Sequence, residues 1–79
     1  MEEILKRNGW RLYSNCSCGG TTEMKFEYRL FEGVRIHVRP AQKKWFVKKN
    51  NRDVGQGNAS NFVEKMVEYG YIQEGSAGV

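Results

Sequence analysis

Between Met24 and Val38 the chain alternates so regularly that a β-hairpin with one apolar and one polar face is the reading it admits. Met24, Phe26, Tyr28 and Leu30 alternate with Lys25, Glu27, Arg29 and Phe31. After Glu32-Gly33, Val34, Ile36 and Val38 alternate with Arg35, His37 and Arg39. A two-residue turn at Glu32-Gly33 would oppose Leu30 to Arg35 and mix the faces, because directly opposed residues share a face. A three-residue loop, Phe31-Glu32-Gly33, predicts instead Leu30 against Val34, Tyr28 against Ile36 and Phe26 against Val38. Gly33 then takes the left-handed position of that loop. On the other face this register sets Lys25 near Arg39, Glu27 near His37 and Arg29 against Arg35. Like charges directly opposed are destabilising, so the pattern points to an electropositive sheet surface.

The flanking segments supply the rest of a small α+β fold. Glu2 to Trp10 reads as a short helix: Glu2-Glu3 lead, Lys6-Arg7 follow, and Gly9 is its left-handed stop. Trp10 packs back as the apolar partner of that stop and opens a strand through about Ser14. Asn15 to Thr21, with two Cys, Ser and two Gly, reads as a loop. Pro40 ends the hairpin's second arm, since proline cannot donate into a ladder. Lys43 to Lys49 is a further strand, with Trp45 and Val47 inward and Lys44, Phe46 and Lys48 outward. The opposite facing would bury Phe46 alone. Asn50-Asn51 is a turn, and Arg52 to Gly57 a polar connection. Asn58 or Ser60 caps a second helix ending at Tyr69, with Gly70 as its stop. Phe62, Val63, Met66, Val67 and Tyr69 form its apolar stripe, and Tyr71 and Ile72 pack back onto the core. Asn8-Gly9-Trp10 and Tyr69-Gly70-Tyr71 echo one another as helix stops.

The expected architecture over residues 1–72 is a three- or four-stranded antiparallel sheet with two short helices packed on one face, in the order α-β-β-β-α. Residues 73–79, small, polar and glycine-rich, are expected to be disordered.

With 79 residues the chain has room for one small core. A net charge of +4 favours an acidic partner, nucleic acid first and an anionic surface second. No stretch has signal-peptide or membrane-span character, so a cytoplasmic protein without membrane contact is expected. Cys16 and Cys18 with the single His37 fall short of a four-ligand zinc site. Four thiolates from a homodimer would complete one; two reduced thiols in a glycine-rich loop is the plainer alternative. No metal or cofactor is expected.

The opening Ile4-Leu5-Lys6-Arg7-Asn8-Gly9-Trp10 and the closing Phe62-Val63-Glu64-Lys65-Met66-Val67-Glu68-Tyr69-Gly70-Tyr71-Ile72 resemble the HicA toxin family. The resemblance spans roughly Glu2 to Ile72 in layout. It implies a double-stranded-RNA-binding-domain-like fold, an RNA-facing ancestry and, in that family, messenger-RNA cleavage with an antitoxin partner. Those toxins carry their catalytic histidine in a Gly-Ser-His motif entering the second strand. The matching stretch here is Gly19-Gly20-Thr21-Thr22, and a threonine cannot replace an imidazole as general base. The resemblance therefore speaks for the fold and against ribonuclease activity.

The candidate site is the basic row. Lys25, Arg29, Arg35, His37, Arg39, Lys44 and Lys48 are placed on one sheet face with Phe46 among them for stacking. Cations neutralise phosphates and release counterions, and an interleaved aromatic suits single strands. The same row also satisfies a sheet's need for a polar outer face. His37, without a second histidine or a serine–histidine–carboxylate set, reads as a solvated residue or a phosphate contact rather than a catalyst. The sequence thus predicts a non-catalytic domain binding RNA or single-stranded DNA. Its rivals are a protein-interaction module of a phage or mobile element, and a divergent HicA-like toxin.

Overall fold

Five strands, not three or four, form the sheet in the computed structural model, which describes residues 1–73. Of the residues 73–79 expected to be disordered, Gln73 is hydrogen-bonded through its N–H to Asn8, and residues 74–79 lie outside the described residues. An N-terminal helix α1 (Glu2–Arg7) leads into β1 (Arg11–Cys18), β2 (Thr21–Glu27), β3 (Val34–Arg39), β4 (Lys44–Lys49) and β5 (Arg52–Asn58), and α2 (Phe62–Tyr69) closes the fold. The strands lie side by side in chain order, each antiparallel to the last.

Two corrections to the sequence reading account for the extra strand and the longer first one. The stretch expected as a loop from Asn15 continues β1 through Cys18, and only Gly19-Gly20 turn the chain. Both have left-handed φ, +60° and +82°, as tight two-residue hairpins require. Arg52 to Gly57, expected as a connection, belongs to β5 and pairs along β4 from Lys44↔Asn58 to Lys49↔Arg52. The expected turn at Asn50-Asn51 is there, again with left-handed φ at both residues.

The β2–β3 hairpin keeps its predicted faces but not its register. Phe26 pairs with Ile36 and Met24 with Val38, a slip of two residues from the expected pairing. Side chains alternate with period two, so a slip of two leaves every residue on its own face. The cause is aromatic. Tyr28 and Phe31 leave the ladder and pack around Trp10, Phe31 parallel to the indole at 5.6 Å and Tyr28 edge-on at 5.6 Å. Tyr71 completes the group, 5.7 Å from Trp10 and 5.2 Å from Phe31. Leu30 is left 69% exposed at the tip.

The helix stops behave as predicted, and in the same way. After α1 the Trp10 N–H bonds the Leu5 carbonyl and the Gly9 N–H that of Lys6. After α2 the Tyr71 N–H bonds Met66 and the Gly70 N–H bonds Val67. Each is the paired-bond arrangement of a left-handed glycine stop, and each throws an aromatic back onto the core. Asn8 ties the two ends together: its amide donates to the Ile4 carbonyl at 2.8 Å, and its oxygen accepts the Gln73 N–H at 3.0 Å.

Both helices cover the same sheet face. Leu5 from α1 and Phe62 and Met66 from α2 join Met24, Phe26, Val34, Ile36, Val38, Trp45 and Val47 in one buried cluster. Asn58 opens the approach to α2, accepting the Ser60 N–H at 3.2 Å while its own N–H donates to Asn61 at 3.0 Å. The Trp45 indole donates to the Asn58 carbonyl at 2.8 Å, which fixes this corner against β4.

The glycines of β5 explain why it gave no strand signal. A Cβ at Gly55 would strike the Tyr69 hydroxyl, and one at Gly57 would stand 2.7 Å from the Trp45 ring and 2.5 Å from the Asn61 amide oxygen. Glycine is retained there because α2 and Trp45 occupy the space. Gly57→Ala is therefore expected to lower the unfolding free energy by about 1–3 kcal/mol, the usual cost of overpacking. For a domain of this size that lowers Tm by roughly 4–8 °C per kcal/mol, read by thermal melts. An unchanged Tm would mean that Trp45 and Asn61 do not press on β5.

Candidate nucleic-acid interface

Strand register builds the outward face in three crosswise rows. One row runs Arg11, Glu27, Arg35, Lys48, Asp53, and the next runs Ser14, Lys25, His37, Phe46, Gln56. In the third, Cys16 pairs with Glu23, and Arg39 with Lys44 and then Asn58. A bulge between Leu12 and Ser14 turns Tyr13 outward as well, where the Arg35 guanidinium lies 5.1 Å over its ring.

Of the predicted site residues, Lys25, Arg35, His37, Arg39, Lys44, Phe46 and Lys48 share this face. Arg29 does not; it is exposed in the β2–β3 loop, because the two-residue slip removes it from the ladder. The expected opposition of Arg29 to Arg35 is thus replaced by an attraction. Glu27 stands opposite Arg35, and its carboxylate accepts from Arg35 at 3.0 Å and from Arg11 at 2.7 Å. Exposed pairs of this kind contribute about 0.2–1 kcal/mol each. Their larger effect is to neutralise that end of the face.

The slip also changes the partner of His37. Glu27 was expected opposite it and Lys25 near Arg39; Lys25 is instead the direct neighbour of His37, and Glu23 reaches it diagonally. The imidazole Nδ1 and a Glu23 oxygen are 2.6 Å apart, while the second Glu23 oxygen lies 3.5 Å from Arg39. His37 is not a solvated strand residue: it is 7% exposed. Burial holds its pKa below the ordinary 6.5, against the opposing pull of Glu23. The hydrogen bond from His37 in turn holds Glu23 below its ordinary 4.5, with Arg39 and Lys25 assisting. At neutral pH the carboxylate is charged and the imidazole neutral, with Nδ1–H donating and the lone pair on Nε2.

Phe46 stacks on that imidazole, centroids 4.4 Å apart and planes 18° from parallel. The Arg39 guanidinium and the Lys48 ammonium lie 5.5 and 5.8 Å from the ring centre. Lys25, Lys44 and Lys48 make no ion pair among the described residues, so the unneutralised charge collects toward β4.

Sequence reasoning missed Arg11, Glu23 and Gln56. Arg11 was accessible through the parity of its strand, since Leu12 points inward. Glu23 and Gln56 required the longer β1–β2 pairing and β5, neither of which the pattern announced. Cys16 sits exposed on β1 rather than in a loop. Among the described residues no group of three or more His, Cys, Asp and Glu could hold a metal ion, and no helix is long and apolar enough to cross a membrane. The chain matches no family model, and neither the curated proteins nor the solved structures give a match.

The buried neutral imidazole makes stability pH-dependent in a known direction. The unfolded chain binds the His37 proton more readily than the fold does, so acid favours unfolding. This contribution is complete above 6.5 and declines as pH falls below it toward the lower folded value. Glu23 adds a second decline below 4.5. Melts of the wild type from about pH 8 down to about pH 5 should show the first loss, and His37→Gln should flatten it. Parallel profiles for the two proteins would mean that the imidazole titrates in the fold as it does in the open chain.

Proposed function

We propose that the outer sheet face binds single-stranded nucleic acid, RNA or DNA, without catalysis. The observation that carries this reading is that Lys25, Lys44 and Lys48 share one face without an ion pair among the described residues, with Lys48 over the partly exposed ring of Phe46. Carboxylates do border these lysines, Glu23 near Lys25 and Asp53 opposite Lys48, but neither forms an ion pair with them as Glu27 does with Arg11 and Arg35. Arg39 keeps one longer ion pair to Glu23 besides its place over the Phe46 ring, and is within reach of a phosphate. A flat, positively charged sheet with an aromatic suits a strand whose bases are unstacked.

The HicA-like layout is a second reading with one observation in its favour. Glu23 lies just past the Thr21-Thr22 positions where that family carries its histidine, and it orients an imidazole with a lone pair on Nε2. A divergent toxin could use such a pair as general base. Against this stand the burial of His37 and its covering by Phe46, which leave a substrate little access. The five-stranded sheet also departs from the α-β-β-β-α order of the resemblance.

The test is binding of labelled single-stranded RNA, single-stranded DNA and duplex DNA across a salt series. Affinity near about 10⁻⁴–10⁻⁶ M at physiological salt is expected, weakening linearly in log–log form. Lys44→Glu and Lys48→Glu should each weaken binding and reduce the slope by about 0.7 per lost phosphate contact. Lys6→Glu, which makes the same charge change on α1, should leave both unchanged. No binding at low salt overturns the proposal. RNA cleavage that disappears in His37→Ala would establish the toxin reading in its place.

A further inference from the structure

We infer that the hollow beside Phe46 seats a single nucleobase and that Gln56 reads the base's edge. This rests on the nucleic-acid reading above and narrows it to an unstacked base on a single strand.

Phe46 stands at the middle of the outward face, directly between His37 on β3 and Gln56 on β5. Side chains rise roughly perpendicular to a sheet, and His37 lies parallel to the Phe46 ring at 4.4 Å. One face of the phenyl ring is therefore covered by imidazole, and the other is turned toward β5. There a hollow of about 560 Å³ opens, lined by Arg39, Phe46, Lys48, Asp53, Gly55 and Gln56. That volume falls within the range of about 300–1,000 Å³ typical of small-molecule sites. A planar base entering it would extend an existing stack of two rings by a third.

The lining is chemically suited to a nucleotide. Arg39 and Lys48 lie over the Phe46 ring on this side, 5.5 and 5.8 Å from its centre, so an entering base displaces them from the ring toward its own flanking phosphates. The Gln56 amide offers one donor and one acceptor group, the pair that meets adenine N6 and N7 bidentately. Asp53, opposite Lys48 in the register, is acceptor-only and suits an exocyclic amine. It faces the carbonyl oxygens of uracil or thymine unfavourably. The hollow is thus matched to bases that carry an amino group, adenine first. The neighbouring hollow beside Arg11, Glu27 and Arg35 lacks this match, because both guanidinium groups already hold the Glu27 carboxylate.

The experiment compares oligoadenylate, oligocytidylate and oligouridylate, an abasic oligonucleotide of equal length, and heparin as a polyanion without bases. Wild-type protein should bind oligoadenylate more tightly than oligouridylate and the abasic chain least. Phe46→Leu should weaken oligoadenylate about tenfold while the salt slope and heparin binding stay as they were. Gln56→Ala, an exposed change, should narrow the gap between oligoadenylate and oligouridylate with the slope unchanged. A 2-aminopurine placed in the strand should be quenched by the wild type and not by Phe46→Leu. Near-UV circular dichroism confirms that each variant keeps its fold. If the abasic chain binds as well as oligoadenylate, or Phe46→Leu binds as the wild type does, the base subsite is overturned while the basic face stands. If neither oligonucleotides nor heparin bind, both readings fall.

Discussion

The hydrogen bond from the Trp10 indole to the Tyr71 carbonyl, 2.8 Å long, is the constraint on which the other contacts depend. It joins residues separated by most of the chain, and each is the aromatic thrown inward by a helix stop. With both stops held together, the indole becomes the centre of an aromatic group that Tyr28 and Phe31 must join. Aromatic pairs of this geometry are worth about 0.5–1.5 kcal/mol beyond the area they bury. Several of them outweigh the ladder bonds that Tyr28 and Phe31 would make by staying in the hairpin, since a typical net hydrogen bond is worth about 0.5–1.5 kcal/mol and the loop recovers two through its own turns.

That choice propagates to the opposite side of the sheet. Removing Tyr28 to Phe31 from the ladder slips β2 by two residues against β3, and the slip decides which charges meet. Glu27 moves under Arg35, and Glu23 comes within reach of His37 and Arg39. One carboxylate neutralises two arginines at the β1 side. The other settles a buried imidazole that would otherwise lack a partner. The positive field that remains is therefore displaced toward β4, where lysines carry it. An aromatic contact in the core thus determines where positive charge collects on the surface.

Much of this was legible in the chain. The alternation from Met24 to Val38 assigned each residue to its face, and a slip of two could not undo that. Gly9, Gly70, Pro40 and Asn50-Asn51 marked stops and turns by backbone chemistry alone. What the pattern did not reveal depended on tertiary contacts. Cys16 and its neighbours form a strand because β2 supplies their ladder, not because their side chains favour one. Gly55 and Gly57 lie in a strand because Tyr69, Trp45 and Asn61 leave no room for a Cβ. Read in isolation, both segments resemble loops. The register was misread for a related reason: local alternation extends through Leu30, and only Trp10, far away in sequence, withdraws Tyr28 from it.

The two faces of β5 are shaped by different features. On the inner side its glycines let α2 and Trp45 close over the core. On the outer side β5 follows β4 with a bulge between Val47 and Lys48, which skips Val54 and brings Asp53 opposite Lys48. Val54 is left 48% exposed, and Gln56 remains as the single outward side chain opposite Phe46. Regular pairing would instead set Val54 opposite Lys48, in the outward row beside the hollow. The outer hollow thus depends on the bulge, which withdraws Val54 from that row. Because the bulge belongs to the β4–β5 pairing itself, the hollow is formed by the fold, and preorganisation of this kind lowers the ordering cost of binding.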